Sequence, residues 1–259
     1  MRLKKNRFLK TVMTLCLAAG LLSGCGGVSE EQLAARESAI AMMESGNYEA
    51  AVDVFNGLVV EAKKVTEFEL DILKYRAEAE FLLEDYEAAL HTYRTLMEVD
   101  KERPEYCYMA SMALSGDGQM HDAKLFLEGG RELDKKLEAP GFYEASLAYA
   151  DACKEAGETE IAMQVYQELI AEGFGNTAIY NRLVLNAMEA EDYAGALQLV
   201  AEGLAQNDSE AVQELKFNEA VCYEYLGEFS KALELFRIYA EEFGSNEQVA
   251  HEIAFLETR

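Results

Sequence analysis

The sequence predicts an all-α chain: a solenoid of about six helical hairpins closed by one further helix. Three observations predict it. After Glu30 one line recurs six times: a small residue or Glu, a polar residue, usually an aromatic, two free positions, then Ala and a large apolar residue four further on. The alanines of that line stand at 51, 89, 123, 162, 196 and 232, at near-constant intervals of 38, 34, 39, 34 and 36 residues. Half of the chain is hydrophobic and it carries 14 Tyr and 12 Phe, so its formal net charge of −25 does not mean disorder.

The chain opens on a basic head, Met1-Arg2-Leu3-Lys4-Lys5-Asn6-Arg7, followed by an apolar run from Thr11 to Leu22. That run fits the core of a secretion signal and falls well short of the roughly 20 residues of a permanent membrane helix. It ends in Leu22-Ser23-Gly24-Cys25, which resembles the lipobox of bacterial lipoproteins. The resemblance implies that residues 1–24 are a cleaved signal peptide and that Cys25 becomes the mature N-terminus, carrying two acyl chains of the palmitate kind. Two chains suffice for stable anchoring, where one is marginal. The alternative is an ordinary cleaved signal with an incidental Cys25, and Cys16 reads as a hydrophobic filler. Residues 25–30 then form a short linker, and the array at 31–259 sits close to a bacterial membrane or envelope, lipid-anchored on the extracytoplasmic side. Gly26 distinguishes neither a Gram-negative nor a Gram-positive envelope.

Cleavage after residue 24 removes five of the 23 basic residues and no acidic one, leaving 18 against 48 and a net charge of −30. Such a surface repels phosphate backbones and anionic headgroups, which excludes nucleic acid and any membrane contact beyond the anchor. It attracts basic segments, so a protein or peptide partner with a Lys/Arg-rich patch is expected.

The recurring line reads Gly46-Asn47-Tyr48-Glu49-Ala50-Ala51 with Phe55, then Glu84-Asp85-Tyr86-Glu87-Ala88-Ala89 with Tyr93. It returns at Gly118 to Ala123 with Leu127, at Gly157 to Ala162 with Tyr166, at Glu191 to Ala196 with Val200, and at Gly227 to Ala232 with Phe236. This resembles the tetratricopeptide repeat (TPR), a 34-residue unit of two antiparallel helices with an Ala-x3-Phe signature. The resemblance runs from about Glu31 to Phe243. It implies a right-handed solenoid of about thirteen helices with an inner groove lined by the first helix of each pair. Glycine, or a polar residue in its place, ends one helix, and alanine lets two backbones approach. The small residue expected in the first helices is Ala39, Ala77, Ser111, Ala150, Val184 and Ala220, so Val184 departs from the pattern. The family's tryptophan is absent. The two long intervals imply lengthened helices or loops near residues 61–69 and 138–142. Residues 246–258 place Val249, Ile253 and Leu256 on one helical face, as a capping helix requires.

No constellation for catalysis appears. His91, His121 and His251 stand apart with no partner at metal-ligand spacing, and no phosphate loop, nucleophile elbow, zincin motif or calcium loop is present. No enzyme activity, metal or cofactor is expected. Cys107, Cys153 and Cys222 lie in three different first helices, where they read as buried thiols and not as a disulfide pair. The groove is sketched by first-helix residues about a turn apart: Tyr108, Met112 and Ser115; Leu147, Asp151 and Lys154; Asn181, Leu185 and Met188; Phe217, Val221 and Glu224. Of these, Tyr108, Met112, Asn181, Leu185 and Phe217 are expected to contact a partner segment by apolar burial and amide hydrogen bonds. The alternative for each is packing between hairpins. Arg182 and Asn218 alone match the Lys, Arg and Asn cluster with which some family members hold a peptide carboxylate, so that specificity does not carry over. The expected function is a membrane-tethered interaction scaffold. The alternative is a lipoprotein receptor for a small ligand or glycan, which would call for a deep pocket with convergent polar groups.

Overall fold

The computed structural model describes residues 28–60, 65–101 and 103–259. The expected leader and the acylated Cys25 lie outside the described residues. Thirteen α-helices and no strand occur among those described. They fall into two compact units, one up to Ala162 and one from Met163. The first holds α1 (Glu30–Glu44), α2 (Tyr48–Val60), α3 (Glu67–Leu82), α4 (Tyr86–Val99), α5 (Pro104–Gly116), α6 (Met120–Leu133) and α7 (Phe142–Glu155). The division falls within α8 (Thr159–Leu169). The second unit continues through a π-helical turn (Ile170–Phe174), α9 (Thr177–Glu189), α10 (Tyr193–Leu204), α11 (Val212–Tyr225), α12 (Phe229–Phe243) and α13 (Glu247–Leu256). No helix among the described residues is long and apolar enough to cross a membrane.

Each hairpin turns by one device. A residue of left-handed conformation ends the first helix: Gly46, Glu84, Gly118, Gly157, Glu191 or Gly227. The next residue donates its backbone N–H to the carbonyl five positions back, over 2.8 to 3.0 Å at Asn47, Asp85, Gln119, Glu158, Asp192 and Glu228. This is the Schellman arrangement, which satisfies carbonyls that a helix end otherwise strands. Asp85 and Asp192 then serve twice, because their carboxylates accept the backbone N–H of Ala88 (3.2 Å) and Gly195 (2.9 Å) and so open α4 and α10.

The residues that the recurring line singles out are the core. All six of its alanines are fully buried, and so are Ala39, Ala77, Ser111, Ala150, Val184 and Ala220 of the first helices. Small side chains at both places bring the helices of a pair together, and the large residue four positions after each alanine fills the space beside them. Phe55, Tyr93, Leu127, Tyr166, Val200 and Phe236 are all buried. Ser111 tightens its own hairpin by donating its hydroxyl to the carbonyl of Ala123 at 2.8 Å.

The additions between repeats have local causes. After α6, Asp134 accepts the N–H groups of Glu138 (3.0 Å) and Ala139 (2.9 Å), and Gly141, at φ 98°, leads into α7. The first long interval falls between α2 and α3, where residues 61–64 lie outside the described residues and Thr66 caps α3 through the N–H of Phe68. Ser29 and Gln32 form a capping box that starts α1 at Glu30. The last helix, α13, is opened by Asn246, whose side chain accepts the N–H of Val249 at 2.9 Å. The π-helical turn before α9, with Gly173 at φ 89°, lies outside the sequence-based expectation.

Beside this core lies a polar network in the first unit. Thr92 donates to Glu80 at 2.6 Å and accepts from Arg76 at 2.8 Å, while Arg76 also reaches Asn56 at 3.3 Å. Burial holds the Glu80 carboxyl above its ordinary range, against the pull of Thr92 and Arg76, and burial does the same to Glu219 on α11.

Two expectations follow. Beyond Gly227 there is open space, so Gly227→Ala meets only the conformational cost of the left-handed region, about 1–2 kcal/mol. Glu191→Ala, where a non-glycine already holds φ 59°, should change stability by less than about 0.5 kcal/mol. Thermal melts of the two variants check the contrast. For pH, folded Glu80 and Glu219 bind protons more tightly than unfolded ones. Their stabilisation is therefore complete below the ordinary carboxyl value and is lost as pH rises through the raised values. Repulsion among the acidic residues acts in the same direction. The thermal midpoint should fall from about pH 5.5 to about pH 8, and a midpoint that rises over this range contradicts the assignment.

Candidate functional site

First helices in a hairpin array pack on one side and leave the other for a partner, so the expected contact residues divide by which side they take. Tyr108 and Met112 on α5 are corrected: they are 0% and 1% exposed and present no surface to a partner. The ring of Tyr108 lies against Gly130 of α6, where a Cβ would stand 2.5 Å from it. It meets Phe142 of α7 edge-on at 5.7 Å between centroids, and its hydroxyl donates to Asp134 at 3.3 Å. Burial and that carboxylate both push the phenol up. The signal for this role was Gly130 inside an otherwise regular helix, the mark of a close approach.

In the second unit α9 and α11 are neighbours; Asn181 and Leu185 lie on the first and Phe217 on the second. The side-chain amide of Asn218 donates to Oδ1 of Asn181 at 2.8 Å, joining the two helices. Asn218 is buried and Asn181 half-buried. One turn beyond Asn181, Leu185 is 39% exposed. Phe217 is half-buried and wedged toward α12, edge-on to Phe236 at 5.5 Å and to Tyr239 at 5.7 Å. Its ring thus shares packing with whatever edge it offers outward. Gln213, a turn earlier, donates to the hydroxyl of Tyr239 at 2.8 Å and fixes that ring in turn.

The frame under this face is tied by a threonine. Thr177 at the start of α9 donates its N–H to Asp208 at 3.0 Å, pairs with the same carboxylate through its hydroxyl, and accepts the N–H of Ala211 at 2.9 Å. The loop before α11 is thereby fixed to the first turn of α9. Arg182 donates to the carbonyl of Ala178 in its own helix at 3.1 Å, which is a local contact. Sequence reasoning found neither the amide pair nor the Thr177–Asp208 tie. Both join residues more than 30 positions apart, and no short motif signals such a pair.

Among the described residues no group of three or more His, Cys, Asp or Glu is arranged to hold a metal ion, and His91, His121 and His251 are all exposed. Cys107, Cys153 and Cys222 are buried thiols, as the sequence suggested. Burial, assisted by Glu219, pushes the Cys222 thiol up to about 11, and burial raises Cys153 as well, so both stay protonated and unreactive near neutral pH.

No protein-family model matches the chain, and no curated protein matches it either. Solved structures do. The C-terminal part of a TPR-containing protein from Cytophaga hutchinsonii is 16% identical, with a TM-score of 0.60 over 80% of this chain and 78% of that one. A tetratricopeptide repeat protein from Parabacteroides merdae is 16% identical, with a TM-score of 0.55 over 99% and 96%. The apo form of the quorum sensor NprR from B. thuringiensis is 14% identical, with a TM-score of 0.61 over 99% and 80%. At these identities the likeness speaks for fold alone, and together with the six Schellman turns and the buried Ala positions it identifies the chain as an all-α array of TPR-type hairpins.

Proposed function

We propose that the protein is a protein–protein interaction scaffold, tethered by lipid at Cys25 to the extracytoplasmic side of a bacterial membrane, that binds a segment of an envelope or secreted protein on the α9/α11 face. The observation that carries this reading is the amide pair Asn181–Asn218 beside exposed Leu185. Polar groups that can match a peptide backbone stand next to apolar area that a side chain can cover, which is how helical grooves hold extended or helical segments. Phe217 adds the edge of a ring held rigid by Phe236 and Tyr239. The tether rests on Leu22-Ser23-Gly24-Cys25 after a signal-like leader. The basic character of the partner rests on the acidic excess of the chain.

The test is capture of the tagged full-length protein, with its partners, from detergent-solubilised membranes of its own cells. One envelope protein should be enriched, and its recovery should fall as salt is raised. Leu185→Asp should weaken its binding about tenfold, equivalent to about 1.4 kcal/mol. Equal recovery with wild type and Leu185→Asp would place the contact elsewhere. Enrichment of nothing above control would turn attention to a small ligand or glycan. Separately, Cys25→Ser should move the protein from the membrane fraction to the soluble one, and retention on membranes would overturn the tether.

A further inference from the structure

The residue two positions before the left-handed turn is Glu44, Leu82, Gly116, Glu155, Glu189 and Tyr225 in the successive hairpins. Where a tyrosine of the preceding hairpin meets that place, glycine suffices. Tyr86, which opens α4, lies so close to Gly116 of α5 that a Cβ there would stand 2.6 Å from its ring. In the second unit Tyr193 opens α10, and the place of the glycine is taken by Tyr225, the last residue of α11. Their rings stack, 4.6 Å between centroids and 9° between planes. Tyr193 packs against the core about Val184, Val200 and Leu215. The stack covers one face of Tyr225, yet Tyr225 is 66% exposed, more than any other large hydrophobic side chain among the described residues. The repeat needs no ring at that place, so this one is an addition that turns an aromatic face to water.

We propose that the open face of Tyr225 is a docking platform for an arginine side chain of a partner protein. The charge around it selects a cation. Between Arg182 and Lys231 the chain carries ten acidic residues and one basic residue, Lys216. Lys216 is itself paired with Glu242 and lies over the ring of Phe243. Glu189, Glu191 and Asp192 shortly precede Tyr193, Glu228 follows Tyr225 by three positions, and all four are exposed. Arginine suits such a place better than lysine, because its planar guanidinium lies flat on a ring while its N–H groups reach outward to carboxylates. The chain builds the same arrangement internally, where Arg36 lies over the ring of Tyr75 at 5.1 Å and pairs with Asp71 at 2.5 Å. Among the described residues the chain's own cations lie over seven rings, Arg259 over both Phe229 and Phe255, and neither Tyr193 nor Tyr225 is one of the seven. Leu226, next to Tyr225 and 46% exposed, offers apolar area to the methylene stem of the incoming side chain.

The stack also prepares the platform. Tyr193 holds the plane of the Tyr225 ring before any partner arrives, so less side-chain freedom is lost on binding. Tyr225 belongs to the last turn of α11, at the hairpin turn, whereas Leu185 lies within α9. Docking of arginine at Tyr225 therefore neither requires nor excludes a segment on the α9/α11 face.

The test takes the full chain in nonionic detergent at low ionic strength, with two fluorescent peptides, one of alternating glycine and arginine and one of alternating glycine and lysine. Binding is read as anisotropy. The arginine peptide should bind about two- to fivefold tighter than the lysine peptide. Tyr225→Phe should keep that preference. Tyr225→Leu, which leaves an apolar contact for Tyr193, should abolish it and leave binding of the lysine peptide unchanged. Thermal melts verify that both variants are folded. Equal binding of the two peptides by the wild type overturns the proposal, because the acidic field alone then accounts for it, and so does a preference that survives in Tyr225→Leu. A dimer of the wild type that Tyr225→Leu dissociates gives the ring to a second copy and overturns it as well. Should a fluorescent oligomer of N-acetylglucosamine bind in place of the arginine peptide, and lose its binding in Tyr225→Leu, the ring receives a glycan and the proposal fails.

Discussion

Everything in this chain depends on how closely two helices of a hairpin can approach. Small residues at fixed places set that distance: in five of the six pairs the first helix offers Ala or Ser, in the fifth pair Val184, and the second helix always offers Ala. Close approach is a dispersion and hydrophobic gain that falls off steeply with a fraction of an ångström of gap. A larger side chain at any of these places would have to displace a helix backbone. The large residue four positions on is then not a free choice but a complement, sized to the space that the alanine leaves. The range from Val200 to Phe236 shows how each pair meets that requirement in its own way.

The same constraint explains what was legible in the sequence. Ala51 with Phe55, or Ala232 with Phe236, can be read because both roles are local and recur, and the turn before each is marked by Gly or by an acidic residue that tolerates a left-handed backbone. Glu84 and Glu191 take the place of glycine there, and the line could still be recognised because Asp85 and Asp192 follow with capping side chains. What could not be read is whatever depends on neighbours far along the chain. Tyr108 stands at a position of α5 that periodicity assigns to the open side, and it is buried because Gly130 and Phe142 leave a space that fits its ring. Asn181 and Asn218 are 37 residues apart, and their pairing follows from the register of α9 against α11, which no local pattern states. Leu185, which the same helical spacing places on the open side, is 39% exposed.

The acidic excess acts unevenly across this framework. Most carboxylates stand in water, where they set the field of the surface and little else. A few are drawn into the packing, and each meets its desolvation differently. Asp71 is met by Arg36 at 2.5 Å, with the guanidinium also over the ring of Tyr75 at 5.1 Å. Glu80 is met by a hydroxyl and a guanidinium, yet burial still outweighs them. Glu224 is half-buried on α11, and burial raises its carboxyl against the pull of Arg259. Burial of particular carboxyls, Glu80 on α3 and Glu219 and Glu224 on α11, therefore adds to the repulsion of the total charge in the chain's response to pH.

The amide pair between α9 and α11 bears on why that face differs from the rest of the packing. A buried amide costs free energy unless its hydrogen bonds are met, and an apolar residue at Asn218 would have packed with no such demand. Mutual pairing meets one donor of Asn218 and one lone pair of Asn181, so the cost is contained within the two residues. Half-buried Asn181 keeps the remainder of its polar capacity toward water. For stability alone this arrangement gains little over two aliphatic side chains. It does hold an amide at a fixed height beside the exposed surface of Leu185, on two helices that Thr177 and Asp208 keep in register. The α9/α11 face thus combines a rigid amide with adjoining apolar area.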